Sequence, residues 1–416
     1  MSIVRANSST TRGIATAAGS CLLLAVIILI SAGGQWASAQ SGGSTNAEPT
    51  DPNAEVLGVP FDRPGMWIWY VSKSEGGSLS KIIARAKRSK IGTVYVKAGD
   101  SNDSWSQFNR SLIDRLHRAG LEVCAWQFVY GDRPVGEAAV GAAAVRKGAD
   151  CLVIDAEGHY EGKYAQADTY VRRLRAEIGP DFPVSLATFP YIDYHPAFPY
   201  SVFMGPGGAQ YNQPQMYWDT IGTTVRDVYE HTYLFNRVYE RPIFPLGQTY
   251  SAATLAEIQL FRRYAVSFGG LAESWWSWQE TSSAEWSALR RDPGGSIPNY
   301  RMRLTHPVLK RGSRGDLVVW AQQHLSGSGS GVPVTGLFGP LTYRATRAFQ
   351  TARGIKADGV IGSSTWRALL KVKPVRVRWA ARAARSARSV NGSGTGAPLS
   401  ASMPARAFEI PPGPRR

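Results

Sequence analysis

Between Gly65 and Arg291, short apolar runs alternate with longer amphipathic stretches, and this alternation constrains the fold more than any other feature. Runs such as Thr93-Val-Tyr-Val are typical of buried strands, whereas the stretch from Leu79 repeats its apolar residues with the period of a helix. The eight predicted strands cover residues 66–71, 93–97, 122–130, 151–157, 183–190, 213–218, 243–250 and 270–278. The predicted helices cover residues 79–89, 111–119, 135–147, 164–178, 225–238 and 254–268.

Eight strands within about 230 residues, with helices between most of them, predict an α/β fold, a (β/α)8 TIM-like barrel over residues 59–295. Residues 191–208, after the fifth strand, are rich in Pro, Tyr and Gly, so we expect that repeat to lack a full helix. A doubly wound open sheet is the alternative. Gly76-Gly77, however, lacks the spacing of the phosphate-binding glycine fingerprint of that fold.

In such a barrel, functional side chains lie at the carboxyl ends of the strands, which together form its mouth. The strand ends combine carboxylates, amides and aromatic rings, a set that favours a carbohydrate cleft. The candidate residues of this mouth are Trp69, Tyr70, Lys97, Asp100, Gln127, Asp155, Glu157, Tyr191, Asp193, Gln215, Tyr217, Asp219, Gln248, Tyr250, Trp275, Trp276 and Trp278. Those expected to bind substrate are Trp69, Lys97, Gln127, Gln215, Gln248, Trp275 and Trp276.

The fourth predicted strand ends in two acidic residues, Asp155 and Glu157. Residues two apart on a strand point to the same side, so we expect both carboxylates to face the mouth. Crowded carboxylates cannot both ionise easily, and glycoside hydrolysis uses one protonated and one charged group. The alternative is structural, in which the pair caps the next helix or binds Lys97.

This strand resembles the signature of family-18 glycosidases, D-G-x-D-x-D-x-E. Asp150, Asp155 and Glu157 occupy three of its four acidic positions, while Val153 replaces the middle Asp and Cys151 the Gly. The D-x-E is also similar to that of family-25 lysozymes, which cleave peptidoglycan and carry further Asp residues on their first and eighth strands. The first predicted strand here supplies no such carboxylate.

The resemblance to family 18 implies a role for each residue. Glu157 would be the general acid, and Asp155 would orient the substrate N-acetyl group that attacks the anomeric carbon. Tyr217, in Met216-Tyr217-Trp218-Asp219, resembles the Tyr of that family's M-x-Y-D motif, one place early, and would donate a further hydrogen bond. The implied activity is that of a muramidase or endo-N-acetylglucosaminidase. A barrel that only binds wall sugars is the alternative.

Other chemistries find little support in the sequence. The six histidines show no zinc-ligand spacing, no G-x-S-x-G elbow occurs, and Cys124 lies inside a predicted strand rather than at an activating helix start. We therefore expect no metal and no cofactor. Cys124 and Cys151 both lie in apolar strand runs and are expected to be buried thiols, although a disulfide is possible in an oxidising compartment.

Residues 304–371 resemble the type-1 peptidoglycan-binding domain, a module of three helices. The matching segments are Gly312-Ser-Arg-Gly315, Gly336-Leu-Phe338-Gly339, Phe349-Gln350, Asp358-Gly359-Val-Ile361-Gly362 and Thr365-Trp366. Thr335 stands where the family pattern has its first Asp. The resemblance implies binding to peptidoglycan. The alternative is a helical domain that only stabilises the barrel.

The two ends of the chain differ from the domains between them. Residues 1–39, with Arg5 and Arg12 before an apolar run and a small-residue site before Gln40, predict a cleaved secretory signal, an uncleaved anchor being the alternative. Residues 40–58 resemble a linker. Residues 372–416 are basic and predict a disordered tail for anionic wall polymers. We expect a secreted or wall-associated monomer that does not bind nucleic acid.

Overall fold

The computed structural model describes residues 61–251, 253–270, 272–302 and 305–379. The expected signal sequence, the expected linker of residues 40–58 and the expected tail beyond residue 379 lie outside the described residues. In the described part of the chain, no helix is long and apolar enough to cross a membrane.

Eight parallel strands form the central sheet of the larger domain. They are β1 Gly65–Ile68, β2 Thr93–Asp100, β3 Glu122–Val129, β4 Cys151–Ala156, β5 Val184–Thr188, β6 Tyr211–Pro214, β7 Leu246–Gln248 and β8 Ser274–Trp276. Their order in the sheet is β6-β5-β4-β3-β2-β1-β8-β7. The isolated parallel bridges Asn212↔Ile243 and Gln215↔Leu246 join β6 to the β7 side. The sheet therefore closes into the predicted TIM-like barrel.

Helices follow the strands on the outside of the barrel. They are α1 Leu79–Arg88, α2 Arg110–Arg118, α3 Pro134–Arg146, α4 Tyr164–Ile178, α5 Tyr200–Phe203, α6 Trp218–Ile221, α7 Val225–Asn236, α8 Leu255–Ser267 and α9 Ser283–Arg290. Side-chain caps fix several starts: Thr254 with Glu257 and Ser282 with Glu285 form capping boxes at α8 and α9. After β5 the chain forms only the single turn α5, so the predicted irregular repeat is confirmed.

Alternation along the strands separates two apolar layers. In β3, Cys124 and Trp126 point into the barrel, whereas Val123 and Ala125 pack against the helices. The interior is filled by aromatic rings: Trp67 stacks on Tyr95 with ring centroids 5.1 Å apart. In the described structure, aromatic and apolar side chains fill the interior below the mouth.

The two cysteines form a disulfide, so the expectation of two thiols was wrong. Cys124 in β3 and Cys151 in β4 are register partners on neighbouring strands, and both side chains point into the barrel. Their Cα atoms are 4.6 Å apart, within the range that a disulfide spans.

The C-terminal domain consists of α10 Asp316–Gly327, α11 Pro340–Ala352 and α12 Ser363–Leu369. A glutamine organises each of its two loops. Gln322 accepts hydrogen bonds from the amides of Thr335 and Gly336 and donates to Leu337 O and to Thr342 Oγ1. Gln350 accepts from Gly359 N and donates to Val360 O and to Thr365 Oγ1. The two halves of the domain therefore repeat one hydrogen-bonded unit.

This repeat explains why Thr335 can replace the Asp of the family pattern. In the second unit, Asp358 Oδ1 accepts from Val360 N and from Gln350 Nε2, both at 3.0 Å. In the first unit, Thr335 Oγ1 accepts from Leu337 N and from Gln322 Nε2, both at 3.3 Å. The hydroxyl performs the same turn-closing role as the carboxylate.

The carboxylate of Asp316, at the start of α10, is buried against the barrel with 1% of the residue exposed. It accepts hydrogen bonds from Tyr164 Oη at 2.8 Å and from Tyr239 Oη, Ser201 Oγ and Ser201 N at 2.7 Å. Nearby, Trp320 Nε1 donates to Val238 O at 2.6 Å. The small domain is thus held on the barrel through a buried polar contact.

Candidate active site

Asp155 and Glu157 meet Gln215 at the mouth of the barrel. Asp155 belongs to β4 and Glu157 follows it, so alternation turns both side chains inward. Gln215, directly after β6, donates from Nε2 to Asp155 Oδ1 at 3.1 Å and to Glu157 Oε1 at 2.9 Å. Asp155 is 1% exposed and Glu157 5% exposed. We call Asp155 and Glu157 the carboxylate pair.

The shared nitrogen limits the separation of the pair. Two oxygens bonded to one nitrogen at 3.1 and 2.9 Å lie at most about 6 Å apart, below the roughly 6.5–9.5 Å that an inverting glycosidase needs. In an inverting enzyme, one carboxylate activates a water molecule that attacks the sugar from the face opposite the other carboxylate. The separation of this pair is too small to leave room for that water molecule.

Burial makes protons bind tightly to the pair. It raises the pKa of Glu157 from 4.5 to about 7, although the hydrogen bond from Gln215 and the charge of Lys97 both act to lower it. Burial, and then the charge of Glu157, raise the pKa of Asp155 well above its ordinary value. The pair therefore holds a proton near neutral pH, which is what a general acid requires.

Within the described residues, Lys97 provides positive charge beside the pair. Lys97 in β2 is 3% exposed, and its Nζ donates to Asp100 Oδ2 at 2.6 Å. The same nitrogen lies 5.1, 4.6 and 4.8 Å from the ring centroids of Trp69, Trp105 and Trp126. Three indole rings and one carboxylate hold this ammonium in place, and its charge lowers the pKa of both Asp155 and Glu157.

Aromatic side chains continue from Lys97 around the rim. Trp69 stacks on Tyr70 with centroids 5.3 Å apart, and Trp105 lies 5.3 Å from Tyr70. Trp276 in β8 lies 5.8 Å from Trp69, and the Trp276–Ser277 peptide bond is cis. Across the mouth, Phe128 contacts Tyr130 and His159. These rings provide flat apolar surfaces around the mouth.

Tyr217 and Tyr250 lie on the β6–β7 side of the mouth. Their rings are 5.6 Å apart, and the Tyr250 hydroxyl bonds Thr220 Oγ1 at 2.8 Å. Burial, followed by the charges of neighbouring groups that include both carboxylates of the pair, raises the pKa of Tyr217. Tyr217 therefore stays protonated and can donate a hydrogen bond at any physiological pH.

Three residues expected to bind substrate have structural contacts instead. Gln127 points out of the barrel, where its Nε2 donates to Ser101 O and Glu137 O at 2.8 Å. Trp275 also points outward and packs on Phe261. Gln248 is fully buried, accepts from Asp219 N and donates to Tyr250 O, so it holds the loops of the mouth. Gln127 and Trp275 occupy the outward-facing positions of their strands, so the structure does not bring their side chains to the mouth.

The remaining candidates lie at the edge of the mouth or behind it. Asp193 accepts from His231 Nε2 at 2.7 Å, and Tyr191 stacks on the same imidazole ring. Trp278 is buried and packs against Trp286 in α9. Asp219 is exposed within α6. None of these four side chains contacts the carboxylate pair within the described structure.

Sequence reasoning missed Trp105, Trp126, Phe128 and Tyr130. Three of these alternate in Trp126-Gln-Phe128-Val-Tyr130, and the structure turns Trp126 and Phe128 to the inside of the barrel. The polarity of Gln127 favoured the opposite face. Trp105 follows the short strand Asp103–Ser104, which folds back on β2, and no periodicity indicated that return.

Residues 314–369 match the family described as "Putative peptidoglycan binding domain". The small domain is a peptidoglycan-binding domain. Its residues Phe338, Gln350 and Trp366 are all buried, so they form its core rather than a ligand surface. The chain as a whole therefore combines this peptidoglycan-binding domain with a TIM-like barrel.

Further similarities accompany this match. Over 64 residues the chain is 41% identical to "Uncharacterized protein in bpoA1 3'region" of Kitasatospora aureofaciens, an alignment that covers 15% of this chain and 54% of that protein. The chain thus spans about half the length of this curated relative.

Two solved structures resemble the backbone of this chain. A chitinase from Chromobacterium violaceum has a TM-score of 0.41 at 12% identity, covering 55% of this chain and 98% of its own. The spore cortex-lytic enzyme SleL of Bacillus megaterium has a TM-score of 0.40 at 11% identity, covering 58% of this chain and 75% of its own.

Proposed function

We propose that this chain is an exported, wall-associated glycoside hydrolase that cleaves N-acetylhexosamine linkages of peptidoglycan. The observation that carries the proposal is the carboxylate pair, buried at the mouth of a TIM-like barrel and bound by the single amide of Gln215. The peptidoglycan-binding domain supports the choice of polymer, because it would hold the chain on its substrate.

Glu157 is the general acid of the proposed mechanism. With its pKa raised to about 7, the side chain retains a proton that it transfers to the leaving glycosidic oxygen. Asp155 holds the substrate acetamido group, whose carbonyl oxygen attacks the anomeric carbon as the bond to the leaving oxygen breaks. Water then opens the resulting ring and returns the proton to Glu157, so the product keeps the starting anomeric configuration.

The side chains around the pair have supporting roles in the proposal. Tyr217 donates a hydrogen bond to the acetamido group or to the sugar ring. Gln215 fixes the positions of the two carboxylates relative to each other through its hydrogen bonds to both. Trp69, Tyr70 and Trp276 form stacking surfaces for the sugars on either side of the scissile bond. Lys97 limits the negative charge of the site.

Export is supported by two features. The Cys124–Cys151 disulfide is typical of proteins that fold in an oxidising compartment. Residues 1–39 have the composition of a secretory signal. Both features agree with a site of action at the wall.

A second candidate function is a wall-attached sugar receptor without catalysis. The observation that favours it is that both carboxylates are almost fully buried and are already bonded to Gln215. In addition, β1 carries no acidic residue. In this alternative, the aromatic rim binds glycan and the pair only shapes the floor of the mouth.

One experiment decides between the two functions: the purified chain is incubated with peptidoglycan, and the released fragments are identified by mass spectrometry. A hydrolase releases glycan fragments with new sugar reducing ends and intact peptide stems. A receptor binds the same material and releases nothing above a heat-inactivated control. Fragments cut within the peptides would reject both candidates.

A further inference from the structure

The peptidoglycan-binding domain has an unusually one-sided charge. Residues 305–379 contain twelve Lys and Arg residues but only two acidic residues, Asp316 and Asp358. Asp316 is buried against the barrel, where it accepts hydrogen bonds from Tyr164, Ser201 and Tyr239. Asp358 closes a turn by accepting from Val360 N and Gln350 Nε2. Neither carboxylate is available to neutralise the cations on the surface of the domain.

Three of these cations surround one cavity. A pocket of about 380 Å³ between the end of α11 and α12 is lined by Arg353, Ile355, Ser364, Arg367, Ala368 and Lys371. We call it the cationic pocket. Its three charged residues are exposed, and in the described chain no carboxylate lies within 4.0 Å of their nitrogens. The pocket therefore presents three positive charges toward solvent.

The contacts of the two arginines hold them in place. Arg367 Nε donates to Ser363 O at 3.3 Å, and its Nη2 donates to Ser364 Oγ at 3.5 Å. The guanidinium of Arg353 lies 5.3 Å from the ring centroid of Phe349. Ile355 and Ala368 are half-buried and give the pocket an apolar floor. A held guanidinium loses less side-chain entropy when it binds a carboxylate.

We propose that the cationic pocket binds a free carboxylate of the peptide stems of peptidoglycan. This proposal rests on the proposed function and assigns a ligand to the domain. Guanidinium groups pair with planar carboxylates through two parallel hydrogen bonds, and the ammonium of Lys371 adds a third charge. The apolar floor of Ile355 and Ala368 fits the small side chain beside such a carboxylate, which a phosphodiester polymer lacks.

The test compares two triple variants of the full chain with equal changes in charge. R353Q/R367Q/K371Q removes the cations of the pocket, and K310Q/R344Q/K356Q removes three exposed cations elsewhere in the same domain. Pelleting with insoluble peptidoglycan freed of phosphodiester polymers gives the Kd of each. We expect the pocket variant to bind at least about tenfold more weakly and the control about threefold or less, since rim charges act mainly over long range.

Alanyl-alanine with a free carboxyl group and its C-terminal amide serve as soluble competitors. We expect only the free acid to displace the wild-type chain, and this arm holds even if a variant fails to fold. If both triple variants lose affinity for peptidoglycan equally, the domain binds through its general positive charge and not through the cationic pocket. If the pocket variant binds more weakly only to walls that keep their phosphodiester polymers, the ligand of the pocket is phosphate. If the pocket variant binds like wild type to both kinds of wall, the pocket is not a binding site.

Fragment release by the wild-type chain, measured in parallel, separates the two proposals. A chain that binds through the pocket but releases nothing contradicts hydrolysis and leaves the pocket in place. A chain that releases glycan fragments while the pocket variant binds like wild type contradicts the pocket alone.

Discussion

Two of the clusters that bury carboxylates in this molecule differ in how many hydrogen bonds those carboxylates receive. Asp316, between the barrel and the small domain, accepts four hydrogen bonds from Tyr164, Tyr239 and Ser201. Within the described structure, the carboxylates of Asp155 and Glu157 receive one each, both from Gln215. Burial raises the pKa of Asp316 to about 6 and that of Glu157 to about 7.

The comparison teaches that a raised pKa does not by itself mark a reactive group. The lone pairs of Asp316 are occupied by fixed donors, so the residue joins two domains and has nothing left to offer a ligand. In the part of the chain that the structure describes, the carboxylate pair at the mouth of the barrel keeps lone pairs that accept no hydrogen bond from the protein. A substrate can therefore supply the hydrogen bonds that the protein does not.

The largest expected effect concerns Glu157. Glu157→Gln keeps the shape and the hydrogen bond to Gln215 but has no acidic proton, so turnover of peptidoglycan should fall by roughly 10²–10⁴. Pelleting with the wall should be unchanged, because the small domain is untouched. Glu161→Gln, an exposed carboxylate near the same mouth, is the control and should keep turnover within about threefold. Near wild-type turnover in Glu157→Gln would remove this residue from the mechanism.

A smaller effect is expected at the other cluster. Asp316→Ala leaves three hydroxyls and one amide without their acceptor, so the free energy of unfolding should fall by about 2–4 kcal/mol. Urea denaturation followed by tryptophan fluorescence measures the change. Asp114→Ala, at an exposed position of α2, should change it by less than about 0.5 kcal/mol. Equal values for the two variants would mean that the buried contact does not join the domains.

The smallest effect concerns the pH dependence of activity. Lys97→Met removes the cation that lowers the pKa of both carboxylates, so the proton is held to higher pH. The alkaline limb of kcat/KM, expected near pH 7 in wild type, should move upward by about one unit. Lys163→Met, which breaks an ion pair with the exposed carboxylate of Asp132, should leave the limb in place. A downward shift in Lys97→Met would contradict the assigned electrostatics.

Much of the barrel can be predicted from the sequence, because hydrophobic periodicity and the succession of strands and helices along the chain are local properties. The alternation of apolar runs and amphipathic stretches gave eight strands in the right places, and the two-residue spacing of Asp155 and Glu157 put both on one face. That Gln215 binds both could not be predicted, because β4 and β6 are two strands apart around the barrel.

The features that the sequence did not predict depend on how distant segments pack together. Period two says which residues share a face but not which face is inward, so polar Gln127 was assigned to the mouth although Trp126 and Phe128 take those positions. The Cys124–Cys151 bond depends on the register of β3 against β4, which only the closed sheet defines. Likewise, nothing in the helix-starting Gly315-Asp316 indicates that three barrel side chains surround this carboxylate.

The most direct test is to measure turnover and the free energy of unfolding side by side at pH 8 for Asp155→Asn and Asp316→Asn. The pKa of Asp155 is raised in the folded chain, so its stability contribution is present below about pH 4 and is lost as the pH rises through the folded pKa. Asp155→Asn should therefore raise the free energy of unfolding at pH 8, while turnover falls by at least about 10².

Asp316→Asn should do the reverse. Although the pKa of Asp316 is also raised, an asparagine offers only one acceptor oxygen and an NH2 group to the four donors, so stability should fall. Turnover should stay within about threefold of wild type at temperatures where the variant is folded. Opposite effects of the two variants would establish the carboxylate pair as the reactive group and Asp316 as the structural one. An Asp155→Asn variant that loses stability and keeps its turnover would contradict this account.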